Sequence, residues 1–273
     1  MTATAGRTIP NDPVLRRETE GTVAWLILNR PGSRNSLSEE LLTELIEALR
    51  TLARDTAVRA VVIAAEGPAF CSGHDLRELT ARRADPDGGR RFFTRLCRLC
   101  STMMMAVVEL PQPVIACVQG AASAAGCQLV ASCDLAVASA AAKFATPGVN
   151  IGLFCSTPMV ALSRNVPRKH AMKMLLTGEL ISAEEALRIG LVNEVVPPGH
   201  ERAAAITLAE KIAGKSTHTV KIGKEAFYRQ AEMPLAEAYD YAAQVMVENM
   251  LARDAEEGIS AFIAKRDAKW QDR

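Results

Sequence analysis

The residues best suited to chemistry are the small ones between positions 115 and 135. An unbroken apolar run, Val114 to Val118, gives way to Gly120 and then to Ala121, Ala122, Ser123, Ala124, Ala125 and Gly126. The run predicts a buried strand, and the small residues predict a turn opening into a helix with almost no bulk in its first turns. Main-chain N–H groups at a helix start are unpaired and lie at the positive end of the helix dipole. With no large side chains in the way, they can reach an anion or a developing oxyanion. A second small-residue turn, Cys71-Ser72-Gly73-His74-Asp75-Leu76, holds a glycine where the chain can bend sharply. His74 adds a side chain whose unperturbed pKa of about 6.5 suits proton transfer. Its expected place is along a ligand channel or facing solvent.

These turns need elements to hold them. Residues 22–28 and 60–64 read as strands, and 135–139 as a third after the small-residue helix. Residues 38–53 repeat Leu41, Leu42, Leu45, Ile46, Leu49 and Leu52 at helical spacing, with Ser38 as N-cap and acids in the first turn. Residues 75–83 and 92–108 continue as helices on either side of a loop at 84–89. Strand and helix alternate, so the fold class is α/β with layered packing. From 198 on the pattern is helical: 201–213, 219–229, 234–250 and 254–269. The expected organisation is a loose leader at 1–13, a core at 14–197 and a helical subdomain at 198–273.

Composition narrows the class. Of 273 residues, 49% are hydrophobic, which is ample for a core. A net charge of +1 argues against a polyanion-binding surface, so any anion site is local. Aromatics make up only 4%, which argues against base-stacking platforms for nucleic acid. No apolar run approaches the length of a membrane span. The seven cysteines are expected to be reduced thiols of a soluble, cytoplasmic chain, with Cys97, Cys100, Cys117, Cys127 and Cys133 in apolar surroundings. Cys97 and Cys100 have C-x-x-C spacing but no companion ligands, so no metal site is expected. His170, His200 and His218 stand alone.

Motifs spread over most of the chain resemble the crotonase superfamily, the enoyl-CoA hydratase/isomerase family. They are Asn29-Arg30-Pro31 with Arg34-Asn35-Ser36-Leu37, the two turns above, Phe144-Ala145-Thr146-Pro147, Leu176-Thr177-Gly178-Glu179, Ser182-Ala183-Glu184-Glu185-Ala186 and Gly190-Leu191-Val192. The resemblance implies a spiral of strand-strand-helix turns and a C-terminal helical subdomain that builds a homotrimer, or a dimer of trimers. It implies no permanently bound cofactor. Coenzyme A arrives as part of an acyl thioester in fatty-acid metabolism, and the mitochondrion is the expected place if the source is eukaryotic. It makes the main-chain N–H groups of His74 and Ala125 an oxyanion hole. It assigns the coenzyme A path to Arg34, Ser36, Leu37, Cys71, Ser72, Gly73, Asp75, Leu76, Ala122, Gly126, Pro147 and Leu153, with Phe262 and Lys265 of the last helix closing it, often from a neighbouring subunit.

The resemblance also marks a departure. Hydratases of the family hold water between two glutamates, whose positions here are Gln128 and Gly148. Adding water to an enoyl double bond needs a base for the water and an acid for the α-carbon. A glutamine amide does not titrate and glycine has no side chain. The expectation is therefore an acyl-CoA enzyme of the lyase or isomerase type with an atypical site and weak or absent hydration. The alternatives are decarboxylation of a malonyl-type thioester, and an acyl-CoA-binding protein with little catalysis. Asn150, Cys155, Ser156, Ser123 and Glu109 are the candidates to replace the carboxylates. Asp134 reads as a structural cap or pair.

Overall fold

The chain repeats one movement: a strand in a large sheet, a short strand in a smaller sheet, then a helix. A computed structural model describes residues 12–273. The leader expected at 1–13 lies outside them, except for its last two residues. Pro13 is already fixed, since Asn29 Nδ2 donates to its carbonyl at 2.9 Å.

The chain enters through β1 (Leu15–Glu20) and β2 (Val23–Leu28), followed by α1 (Glu39–Leu52). The first repeat is β3 (Ala60–Ala65), β4 (Ala69–Cys71), α2 (Leu76–Arg82) and α3 (Arg90–Val108). The second is β5 (Val114–Val118), β6 (Ala121–Ser123) and α4 (Ala125–Ser132). The third is β7 (Leu135–Ser139), β8 (Lys143–Ala145), a 3-10 turn at Pro147–Ile151, α5 (Pro158–Asn165) and α6 (Arg168–Thr177). Then come β9 (Ile181–Ser182), α7 (Ala183–Arg188), β10 (Glu194–Val196), α8 (Glu201–Ala213), α9 (Thr217–Gln230), α10 (Leu235–Leu251) and α11 (Arg253–Ile263). The large sheet has the order β1-β2-β3-β5-β7-β10 and the small one β4-β6-β8-β9. Only β1 and β9 run antiparallel to their neighbours. This is the expected spiral of strand-strand-helix turns.

Burial explains why β2 is apolar throughout. Ala24, Leu26 and Leu28 face a core shared with α1 and α3, while Val23, Trp25 and Ile27 face a second core closed by Ala205 and Ala209 of α8. A strand covered on both faces carries no polar alternation. α8 thus packs against the sheet with the core. β1 is an edge strand of sequence Leu-Arg-Arg-Glu-Thr-Glu, held by its ladder to β2. Its charges suit an edge and hide it from a hydrophobicity pattern.

Ser38 caps α1 as expected, its hydroxyl accepting from Leu41 N at 3.2 Å. Asp75 is the cap of α2 rather than its first turn, accepting from Arg77 N at 3.0 Å.

Two expectations need correction. The last helix ends at Ile263, and the chain then turns back. Asp254 accepts from the amides of Gln271 and Asp272 at 2.7 and 2.9 Å, and Trp270 Nε1 donates to Gly214 O at 2.9 Å. Lys265 therefore lies outside that helix, in a left-handed conformation with φ +52°. Cys97, expected in apolar surroundings, is exposed on the outer face of α3. No helix among the described residues is long and apolar enough to cross a membrane.

Candidate active site

The two small-residue turns meet. Their contact is at Gly73, where the backbone has φ +95°. A Cβ placed on Gly73 would stand 2.9 Å from Ala124 Cβ, 3.1 Å from Ser123 O and 3.4 Å from Ala125 N. Only a residue without a side chain lets the loop before α2 approach the start of α4 this closely.

Hydrogen bonding then fixes which amides are left over. Leu37 pairs with the second turn as a single parallel bridge. Leu37 N donates to Gly73 O at 2.8 Å and Asp75 N donates to Leu37 O at 3.3 Å. In a parallel bridge the residue between those two, here His74, sends its own N–H to the opposite side. Ala125 is the first residue of α4, whose amides lack partners within the helix. Ala124 O accepts from Gln128 N at 3.0 Å. Since N–H and C=O point opposite ways across a trans peptide, the Ala125 N–H is aimed out of the helix start. The loops that carry these two amides meet at Gly73, where an added Cβ would lie 3.4 Å from Ala125 N.

The His74 ring is half-buried. Burial pushes its pKa below the usual value, with the Leu37 main chain opposing. Its Nδ1 is buried without a partner. One turn beyond Ala125 on α4 lies Gln128, whose Oε1 is also buried and unpaired. Thr146 Oγ1, just before the 3-10 turn, is a third such atom. Gly148 is packed shut: a Cβ there would lie 2.7 Å from Leu153 O and 2.9 Å from Cys155 Sγ. Leu153 N donates to Gly148 O at 2.9 Å, so this loop is folded onto itself.

A sequence profile described as enoyl-CoA hydratase/isomerase matches residues 18–273. The chain belongs to the enoyl-CoA hydratase/isomerase family, the crotonase superfamily. Among relatives, it is 49% identical over 254 residues to mitochondrial enoyl-CoA hydratase domain-containing protein 3 of Rattus norvegicus, covering 93% of this chain and 83% of that one. The human protein of that name is 47% identical over 258 residues, covering 94% and 83%. Among solved structures, an enoyl-CoA hydratase from Mycobacterium smegmatis superposes with TM-score 0.91 at 50% identity, covering 95% of this chain and 99% of that one. Human enoyl-CoA hydratase domain-containing protein 3 gives 0.89 at 46%, covering 94% and 100%.

Within this crotonase fold, the residues expected along the coenzyme A path divide by what their side chains do. Asp75 and Ser36 belong to a polar knot. Asp75 Oδ2 accepts from Ser36 Oγ at 3.0 Å and Arg30 Nη2 at 3.2 Å, while Arg30 Nη1 donates to Ser36 O at 2.6 Å. Burial raises the Asp75 pKa, but bonds from Ser36, the Arg77 amide and Arg30 outweigh it and leave the group lowered. Arg30 was not singled out in sequence. Asn35, named in sequence only as part of a motif, is fully buried with φ +53° and donates from Nδ2 to Glu66 O and Ala69 O, both at 2.8 Å. Its tolerance of a left-handed backbone was the available signal.

Leu37, Cys71 and Ala122 are core residues, and burial pushes the Cys71 thiol up to about 12. Gly126 is small for packing: a Cβ there would lie 2.1 Å from Cys71 O. Arg34 is exposed, and its carbonyl accepts from Ser72 N at 3.0 Å, which joins the two loops again. Ser72 Oγ donates to Ser33 O at 3.4 Å. Leu76 and Leu153 are open to solvent at 53% and 47% exposure, and Pro147 is half-buried. Phe262 is 86% exposed on α11, which packs on α9 and α10, so a single chain leaves it on the outer surface.

The candidate replacements fare differently. Cys155 is buried and its pKa is pushed up by burial, the opposite of what a thiolate nucleophile needs. Asn150 packs beside Gly178, and Ser156 is exposed. Ser123 sits in β6, paired with Ala145 of β8. Glu109 lines a cavity of about 420 Å³ with Met105, Lys224 and Tyr228. Lys224 and Tyr228 bind Asp134, past the far end of α4, so Glu109 is at the other end of that helix from Ala125.

Proposed function

We propose that this chain binds an acyl-CoA thioester and stabilises its enolate between the main-chain N–H groups of His74 and Ala125. The observation that carries this is the contact of the two turns at Gly73, within reach of Ala125 N. Preset donors aimed at a developing oxyanion stabilise the transition state without reorganising. Donors of this kind depend on backbone shape, so the side chains at 74 and 125 are free to vary.

Hydration is not the favoured reaction. Gln128 cannot take a proton from water, and Gly148 has no group to offer. Each missing acid–base group costs roughly 10²–10⁴ in rate. Decarboxylation of a malonyl-type thioester fits a hole without carboxylates. The C–C bond breaks, carbon dioxide leaves, its electron pair forms the enolate held by the two N–H groups, and the α-carbon then takes a proton from water. A binding role with little turnover needs the same hole.

Oligomerisation is part of this reading. Tyr239, Leu251, Phe262 and Ile263 on α10 and α11 are all more than two-thirds exposed. Apolar patches of that kind mark surfaces that are covered in an assembly. We take the occupant to be a second copy, in a trimer or a dimer of trimers, with Phe262 and Lys265 brought to a neighbour's coenzyme A path.

The test is turnover and binding on a panel of crotonyl-, longer enoyl-, malonyl-, methylmalonyl- and saturated acyl-CoA, followed by mass spectrometry. Decarboxylation, or binding with little hydration, is expected. Hydration of crotonyl-CoA at an ordinary hydratase rate overturns the reading.

A further inference from the structure

We infer that Ala124 is a positioning residue whose methyl group and strained backbone set the separation and aim of the two hole amides; this rests on the function proposed above. Ala124 has φ +51° and ψ −117°. Those are the angles of the first central residue of a type II′ turn, a position dominated by glycine. An L-residue carrying a Cβ stays there only if its surroundings over-determine it.

They do so from three sides. Ala124 N donates to Ala145 O at 2.9 Å, which ties it to the strand beside β6. Ala124 O accepts from Gln128 N at 3.0 Å, which ties it to the first turn of α4. Its methyl meets the loop across from it, where a Cβ on Gly73 would lie only 2.9 Å away. The peptide that joins Ala124 to Ala125 carries the Ala125 N–H, so the angles of Ala124 set where that donor points. The methyl in turn lies against Gly73, the residue just before the peptide that carries the other donor. Alanine here thus acts as a spacer that glycine would not supply.

Stability and function then move in opposite directions at this position. Glycine relieves the backbone strain but removes the spacer. A displacement of about 1 Å in a reacting geometry costs up to about 10²-fold. Gln128 Oε1, buried without a partner one turn along the same helix, gives this end of α4 a second polar group that no protein atom satisfies.

The experiment compares wild type with Ala124→Gly in the full-length protein. Melting temperature is measured alongside dissociation constants for acetoacetyl-CoA, whose enolate is seen by ultraviolet absorption, and for free coenzyme A, which has no carbonyl. For Ala124→Gly the melting temperature is expected to hold or rise by a few degrees. Its preference for acetoacetyl-CoA over coenzyme A, and the enolate absorbance, are expected to fall about tenfold or more. Coenzyme A affinity should not change, which a merely structural role would not predict. If wild type prefers acetoacetyl-CoA and the variant keeps the whole preference, the positioning inference is overturned and the hole stands. If wild type shows no such preference, the hole itself falls and this inference with it. A variant that melts lower than wild type also overturns the strain argument.

Discussion

Lys224 Nζ lies 2.7 Å from Asp134 Oδ2, and this pair joins α9 to the end of α4. The same carboxylate accepts from Val114 N at 2.6 Å and from Tyr228 OH at 2.9 Å. Lys224 also donates to Val107 O and Gln112 O at 3.2 and 3.0 Å. Burial pulls the Lys224 pKa down, against the attraction of Asp134. Removing one partner leaves the other's charge largely buried without an opposite charge beside it. Lys224→Met is expected to destabilise the protein by on the order of 3 kcal/mol in urea unfolding. Asp134→Asn with Lys224→Met should recover part of that loss. Additive losses in the double variant would show that the pair is not coupled.

Gly148 cannot simply be restored to a carboxylate. The side chain of Gly148→Glu would start within 2.7 Å of Leu153 O and 2.9 Å of Cys155 Sγ. Overpacking of this kind costs about 1–3 kcal/mol. Gly148→Glu should melt lower than wild type, and adding Cys155→Gly should restore part of the difference. Neither Gln128→Glu alone nor Gly148→Glu alone should hydrate crotonyl-CoA at an ordinary hydratase rate. Wild-type melting by Gly148→Glu would contradict the packing.

The His74 ring gives a pH dependence with a defined sign. Its folded pKa lies below the ordinary 6.5 because burial disfavours the charged ring. Between the folded and unfolded values the unfolded chain binds more protons, so stability rises with pH there. Stability is therefore full above pH 6.5 and is lost as pH falls through the folded pKa. His74→Gln should flatten that part of a melting-temperature profile between pH 7 and 5. Acyl-CoA binding should survive if, as proposed, the donor is the main chain. Loss of binding in His74→Gln would move the role to the ring.

Thiol reactivity should single out Cys97. It is the exposed cysteine, whereas burial raises the pKa of Cys71, Cys100, Cys117 and Cys127 to about 12. A short exposure of native protein to iodoacetamide should alkylate Cys97 first, as read by peptide mass spectrometry. Early labelling of Cys155 would mean that its thiol is activated after all.

Where sequence and structure agree, the cause is local. Leu41, Leu42, Leu45, Ile46 and Leu49 announce α1 because one helix face is buried, and Ser38 announces its start because a hydroxyl satisfies an amide there. The small residues from Ala121 to Gly126 marked the turn that meets Gly73, yet for mixed reasons. Gly126 is small to meet Cys71 O, while Ala125 begins a helix. What sequence could not carry is pairing across distance. The Arg30–Asp75–Ser36 knot links residues up to 45 positions apart, and the Asp134–Lys224 bond spans 90. The edge strand β1 stayed hidden because its ladder, not its side chains, holds it. The strain at Ala124 has no signature at all in an alanine-rich run.

The stitching of the first two loops has a thermodynamic consequence. Three main-chain bonds, from Leu37 N to Gly73 O, Ser72 N to Arg34 O and Asp75 N to Leu37 O, and the side-chain bond from Ser36 to Asp75 already join these loops before any ligand arrives. On the proposed path, an acyl-CoA meeting these loops has little chain to order, so its association should carry a small conformational-entropy penalty. Amide exchange at Leu37 and Asp75 should be slow in the free protein and change little on saturation. The heat capacity change of binding should then report burial of the ligand's own surface rather than folding of the site.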